Sequence, residues 1–141
     1  MIDISNYQVS NLCTTEIVSA KPNQLMTEIC SIFDENDFRH VPVINDDQVC
    51  VGVISKTDYL QLQDKFSRFG YKSADINNRV FFRSLVAKDV MSEDVVTLDY
   101  NAQLNKAIEI FEENKLHSII VTKEDKFYGI LTPIDLLVLF K

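Results

Sequence analysis

Val51-Gly52-Val53-Ile54-Ser55-Lys56-Thr57-Asp58 and Tyr128-Gly129-Ile130-Leu131-Thr132-Pro133-Ile134-Asp135 decide how this sequence folds. Each runs from a glycine through two apolar residues to a hydroxyl residue, with an aspartate three positions further on. A Ser or Thr N-cap followed by an acid at the third helical position marks a helix start, and Pro133 in the first helical position strengthens the second copy. The apolar run before the cap reads as a strand. The chain thus passes from a buried strand into a helix, twice and in the same way.

Outward from these anchors the two halves superimpose with a shift of about 78 residues, the mark of an internal repeat. Met26, Ile29, Cys30 and Phe33 fall on Leu104, Ala107, Ile108 and Phe111, Arg39 falls on His117, and Val43 on Val121. One residue is lost in the next turn, after which Gly52 meets Gly129, Ser55 meets Thr132 and Asp58 meets Asp135. The β-branched runs Ile17-Val18 and Val95-Val96 read as first strands. Each leads into apolar residues at i, i+3, i+4 and i+7, the core stripe of an amphipathic helix. Val41-Pro42-Val43-Ile44 and Ser118-Ile119-Ile120-Val121 then read as buried strands, followed by polar turns and the returning strands Val49 to Ile54 and Phe127 to Leu131.

The expected fold is therefore α/β (α+β), two β-α-β-β-α repeats of about 45 to 50 residues sharing a core, since one such unit buries too little surface alone. Residues 1–60 are expected to hold repeat one, 61–86 an inter-repeat helix and linker, and 87–141 repeat two. In the linker, Leu62, Phe66 and Phe69 continue a helical stripe as far as Gly70, and Asn77-Asn78 reads as a turn. Val80-Phe81-Phe82 has no counterpart in the other half and is expected to pack against the module or a second copy of it. Of three glycines in the chain, two occupy the matched positions 52 and 129. Either a neighbour or ligand approaches the backbone there, or the strand carries a bulge.

Composition narrows the function. The 141 residues are 46% hydrophobic and 25% charged, with nine Phe, as in an ordered globular protein. A net charge of −7 argues against non-specific affinity for nucleic acid or an anionic membrane. The longest apolar run, Leu136 to Phe140, is far short of the roughly 20 residues a membrane span needs. Three cysteines, Cys13, Cys30 and Cys50, form no CxxC pattern and are odd in number, which disfavours a disulfide framework or a zinc site and fits reduced thiols in the cytoplasm. The first residues, Met1 to Tyr7, carry no signal-peptide pattern.

Candidate functional residues follow from the repeat. Ser55 with Asp58 and Thr132 with Asp135 either only cap helices or also place a carboxylate beside free N–H groups, where it accepts hydrogen bonds from a ribose diol while the helix start meets an anion. Arg39 and His117, matched and just ahead of a strand, either solvate the strand mouth or contact phosphate. Conventional catalysis finds little support. There is no GxSxG, GxxxxGK[ST] or HExxH motif, only two histidines occur, and Cys30 lies on the apolar helix stripe. Asp34-Glu35 and Glu112-Glu113 read as solvated helix faces.

With Arg39-His40-Val41-Pro42-Val43-Ile44, the two Gly-to-Asp stretches, and Val90-Met91-Ser92-Glu93-Asp94-Val95-Val96-Thr97 leading into repeat two, the sequence resembles the CBS-domain family in its tandem arrangement, the Bateman module. The resemblance implies a pseudo-two-fold disc with two clefts that take AMP, ADP, ATP, cyclic di-AMP or S-adenosylmethionine. Carried over by position, Asp58 and Asp135 hold ribose hydroxyls, Ser55 and Thr132 contact ribose or phosphate, and Arg39 and His117 face phosphate. Ile17, Val18, Val95 and Val96, with Val41 and Ile119, wall the adenine, and Thr14 and Ser92 match the polar position ahead of the first strand. It also implies a homodimer, through the helices after Asp58 and Asp135, that regulates an effector protein, without catalysis, metal or resident cofactor. A ligand-free interaction scaffold and an S-adenosylmethionine sensor are the alternatives. Two positions depart from the family pattern: Leu12-Cys13-Thr14 replaces the usual Met-bearing lead-in, and Ser118-Ile119-Ile120-Val121 lacks the proline found in repeat one.

Overall fold

Apolar, β-branched stretches punctuated by turn residues form one hairpin in each half of the chain in the structure, a computed structural model that describes residues 2–69, 83–114 and 116–141. In the first, β1 (His40–Ile44) runs antiparallel to β2 (Cys50–Ser55), with His40 opposite Ser55 and Val43 opposite Gly52. In the second, β4 (Ile119–Lys123) runs antiparallel to β5 (Lys126–Leu131), with Val121 opposite Gly129. The register slips by one residue just after Val43 and just after Val121, so both hairpins carry a bulge beside the glycine. The second hairpin closes through Glu124-Asp125, both at left-handed φ (53° and 64°), the backbone of a tight two-residue turn.

On the other side of each central strand a parallel segment adds on, but unequally. β3 (Thr97–Asp99) pairs with β4 over Ile120 to Thr122, whereas in repeat one only Ala20 bridges to Val43. The first strands therefore lie two residues beyond the expected Val95-Val96 and Ile17-Val18, because Leu98 and Ala20 are the residues turned toward the core. The unequal length has a covalent cause. The Ile120 N–H donates to the Val96 carbonyl at 2.9 Å, and the matched residue in repeat one is Pro42, which has no N–H to give. Pro42 can only accept, and its carbonyl takes the Ala20 N–H at 2.9 Å.

The helices bury the stripes read from the sequence. α2 (Met26–Glu35) inserts Met26, Ile29 and Phe33 against Val41, Val43 and Ile54. α5 (Leu104–Asn114) sets Leu104 and Ala107 against Ile119, Val121 and Leu131. After β2 comes α3 (Lys56–Phe69), on which Tyr59 is buried, its ring stacked on Phe33 at 5.0 Å, and Leu62 packs on the same core. The expected helix after Thr132 is instead a 3-10 helix, Pro133–Phe140. The linker residues Gly70, Asn77-Asn78 and Val80-Phe81-Phe82, and the side chains of Phe66 and Phe69, lie outside the described residues.

Two short helices precede the repeats and were not legible in the sequence: α1 (Val9–Leu12) and α4 (Ala87–Val90). They are built alike. Asn11 accepts the Gln8 N–H at 2.8 Å, and Asp89 accepts the Val86 N–H at 3.0 Å. Val9 and Ala87 are fully buried, but each in the core of the other repeat. The compact units accordingly interleave along the chain. One comprises Met1–Ile17, Asp47–Val49 and Val95–Lys141, the other Val18–Asp46 and Cys50–Asp94. Among the described residues no helix is long and apolar enough to cross a membrane.

Candidate functional site

The exchanged lead-ins bring a hydroxyl residue to each Ser/Thr–Asp pair. In the unit holding repeat two, Thr14 exchanges backbone hydrogen bonds with Ile130, at 2.8 and 3.0 Å, two residues ahead of Thr132. In the unit holding repeat one, Ser92 does the same with Val53, at 2.9 and 3.0 Å, two residues ahead of Ser55. These contacts need the matched glycines. A Cβ on Gly129 would stand 2.7 Å from the Thr14 carbonyl oxygen and 3.2 Å from the Cys13 sulfur. A Cβ on Gly52 would stand 2.3 Å from the Met91 sulfur. Of the two readings of these glycines, close approach by a neighbour and a bulge, both are found.

Around Asp135 the donors converge. Its carboxylate accepts the Thr132 N–H at 2.9 Å and the Thr132 hydroxyl at 3.3 Å on Oδ2, and the Thr14 hydroxyl at 3.4 Å on Oδ1. The Cys13 thiol lies near enough that burial and the Asp135 charge both push its pKa up. Exposed His117 precedes β4, and half-exposed Val95 and Val96 follow the other lead-in, with Val96 tied to Ile120. Ile17, also half-exposed, belongs to this unit.

Around Asp58 the arrangement is sparser. Asp58 accepts the Ser55 N–H at 3.3 Å on Oδ2, and its own N–H donates to the Ser55 hydroxyl at 3.0 Å. This is the reciprocal cap expected of Ser-x-x-Asp, and it leaves acceptor capacity unused, since a carboxylate offers about four lone-pair sites. The Arg39 carbonyl accepts the Lys56 N–H at 2.7 Å, which fixes exposed Arg39 beside the start of α3. The Ser92 hydroxyl accepts the Asp94 N–H at 3.4 Å instead of turning to Asp58. Val18, 38% exposed, belongs to this unit too.

Two expected adenine-wall residues sit elsewhere. Val41 and Ile119 are both fully buried, packed among α2 and α5 core residues, so neither has surface to give a ligand. An alternating strand has two faces, and these side chains take the helix-covered one. Asp34 is likewise no mere solvated charge, because it accepts the hydroxyl of buried Tyr59. Burial, that hydrogen bond and the Asp34 charge hold the Tyr59 hydroxyl protonated beyond its ordinary range. Lys56, Met91 and Cys13 were missed as neighbours of the site. Lys56 was legible from its place next to Ser55, but nothing local announces which strand edge a lead-in will join.

The comparisons with known proteins agree with this geometry. The family model described as CBS domain matches residues 9–65 and again residues 87–141. The protein MJ1225 of Methanocaldococcus jannaschii is 25% identical over 136 residues, which are 96% of this chain but 48% of that protein. This chain thus spans about half the length of that relative, and 40% of MJ1232 from the same organism, to which it is 28% identical. Among solved structures, CBSX2 in complex with AMP superimposes with a TM-score of 0.75 at 23% identity, covering 94% of this chain and 95% of that one. A conserved protein from Pyrococcus horikoshii gives 0.74 at 22% identity, covering 99% and 96%. With two family matches placed on the two repeats, this chain belongs to the CBS-domain family and carries the domain twice, in tandem.

Proposed function

We propose that this chain is a regulatory module that binds an adenine nucleotide, AMP, ADP, ATP or cyclic di-AMP, and acts on a partner protein. The observation that supports it best is the repetition, in both units, of a hydroxyl–aspartate pair at a helix start, with a basic residue ahead of the neighbouring strand. A cap alone requires the first two groups and has no use for the third. In this reading the groups open to a nucleotide are Asp58 or Asp135 for the ribose hydroxyls, Ser55 or Thr132 for ribose or phosphate, and Arg39 or His117 for phosphate. Ile17, Val18, Val95 and Val96 offer part-exposed apolar surface for the base. S-adenosylmethionine is disfavoured because it brings no phosphate to Arg39 or His117. The complex of CBSX2 with AMP gives the reading a precedent in the fold.

Binding without turnover fits the thiols. All three cysteines are free, and burial pushes each pKa up, so none offers a ready thiolate. Reduced thiols also fit a cytoplasmic location. Equilibrium dialysis with radiolabelled AMP and ATP, competed by unlabelled GTP, tests the proposal. Saturable binding that adenine compounds displace and GTP does not is expected, whereas no retention of either label would refute it.

One observation favours a second reading, a dimerisation or interaction scaffold. Ile134, Leu137, Val138 and Phe140 on the 3-10 helix are all exposed, Phe140 by 74%. Apolar exposure on this scale is a common mark of an interface. Sedimentation equilibrium of the wild type and Leu137→Asp separates the readings. A dimer that forms without nucleotide and is insensitive to it supports the scaffold.

A further inference from the structure

The two candidate sites are chemically unequal, and we infer that the chain takes one phosphorylated adenine nucleotide, at Asp58 rather than at Asp135. The inference rests on the nucleotide-binding reading above and adds which site is filled. Both oxygens of Asp135 are already engaged by its own unit, by the Thr132 N–H and hydroxyl and by the Thr14 hydroxyl. A ribose diol arriving there competes with three donors in place. Asp58 Oδ1 has no hydrogen-bond partner among the described residues, and Oδ2 accepts only the Ser55 N–H. A carboxylate with an open oxygen accepts a diol without first losing a bond.

Charge separates the sites in the same sense. Beside Asp58 stand Arg39, exposed, and Lys56, part-exposed, and among the described residues neither makes an ion pair. The repeat places His117 and Pro133 at the matching positions beside Asp135. Two permanent cations face a phosphate at one site, against a histidine and a proline at the other. The Asp135 site is thus short of cations and occupied by its own hydroxyls, and its role is to hold the Thr14 lead-in.

Isothermal titration calorimetry of the full chain with ATP and with AMP tests this. One event per chain is expected, weakened at least tenfold in Asp58→Asn and less than threefold in Asp135→Asn. Asparagine keeps an oxygen for the Ser55 or Thr132 N–H, so both helix starts keep their cap. Lys56→Ala, a change at a part-exposed side chain, is expected to weaken ATP more than AMP. Two events of similar affinity, or a single event abolished by Asp135→Asn and spared by Asp58→Asn, would overturn the inference while leaving the nucleotide reading intact. No binding of ATP or AMP to the folded wild type would overturn that reading, and this inference with it.

Discussion

Gly129 shows how much one missing methyl group decides. A Cβ there would meet a backbone carbonyl, Thr14, which cannot swing aside, whereas at Gly52 it would meet the flexible thioether of Met91. Gly129→Ala is therefore expected to cost about 2–3 kcal/mol and Gly52→Ala about 1 kcal/mol, as overpacking does. Urea unfolding of both variants checks the order, and equal costs would contradict it. That the glycines were special was legible from their repetition. What approaches them was not, because the partner residue belongs to a lead-in distant in sequence. Cys30 is read the other way round. It lay on an apolar stripe and was expected in the core, and it is half-buried, with burial and the nearby Asp34 charge pushing its thiol up to about 11 from an ordinary 9.0. Asp34→Asn, in a background carrying Cys13→Ser and Cys50→Ser, should move the alkylation profile of Cys30 to lower pH; an unmoved profile would discount Asp34. Because Cys30 and Tyr59 are both held protonated in the fold, the native state binds more protons than the unfolded chain once the unfolded thiol and phenol begin to ionise. The stability Cys30 contributes is complete below about pH 9 and is lost as pH rises through about 11, while that of Tyr59 is complete below about pH 10 and falls above it, measurable by unfolding across pH 8 to 11.

At the scale of elements, hairpins and amphipathic helices were readable because their period and caps are local. The first strands were misplaced by two residues because β-branched composition marks strand-forming residues and not their pairing, which tertiary contacts decide. Two prolines, Pro42 matching Ile120 and Pro22 matching Tyr100, whose N–H donates to the Thr122 carbonyl at 2.7 Å, then explain why repeat two has a three-residue parallel strand and repeat one a single bridge. The tight turn Glu124-Asp125 places two side-chain-bearing residues at left-handed φ, a conformation that costs both of them strain. Replacing them by Asn-Gly, as Glu124→Asn with Asp125→Gly, should stabilise the protein by about 1 kcal/mol and raise its melting temperature by roughly 3 °C. A lowered melting temperature would show that the acidic pair has a compensating contact. The 3-10 form of Pro133–Phe140 was not readable, since proline and the cap announce where a helix starts and not its pitch.

At the scale of the molecule, tandem duplication was the most legible property and the interleaving of compact units the least. A repeat is visible in the sequence itself, whereas the burial of Val9 with Leu104 and of Ala87 with Met26 is a non-local choice. Residues 87–141 made alone lack Val9 and Thr14, and should show no cooperative unfolding. Adding residues 1–17 as a separate peptide should restore structure, and a fully folded 87–141 fragment would contradict the exchange. The sequence nominates candidate site residues because a repeated hydroxyl–aspartate–basic set is a chemical signal that a fold alone does not require, whereas the burial of Val41 and Ile119 depends on which strand face the helices cover and was not readable. The most direct test of the central claim, that this tandem module binds an adenine nucleotide, is thermal melting of the purified chain with AMP, ADP, ATP, cyclic di-AMP and S-adenosylmethionine. A phosphorylated adenine compound at about 100 times its dissociation constant should add roughly 2.7 kcal/mol, a rise of about 8 °C. An unchanged melting temperature with every compound, from a cooperatively folded protein, would contradict the claim.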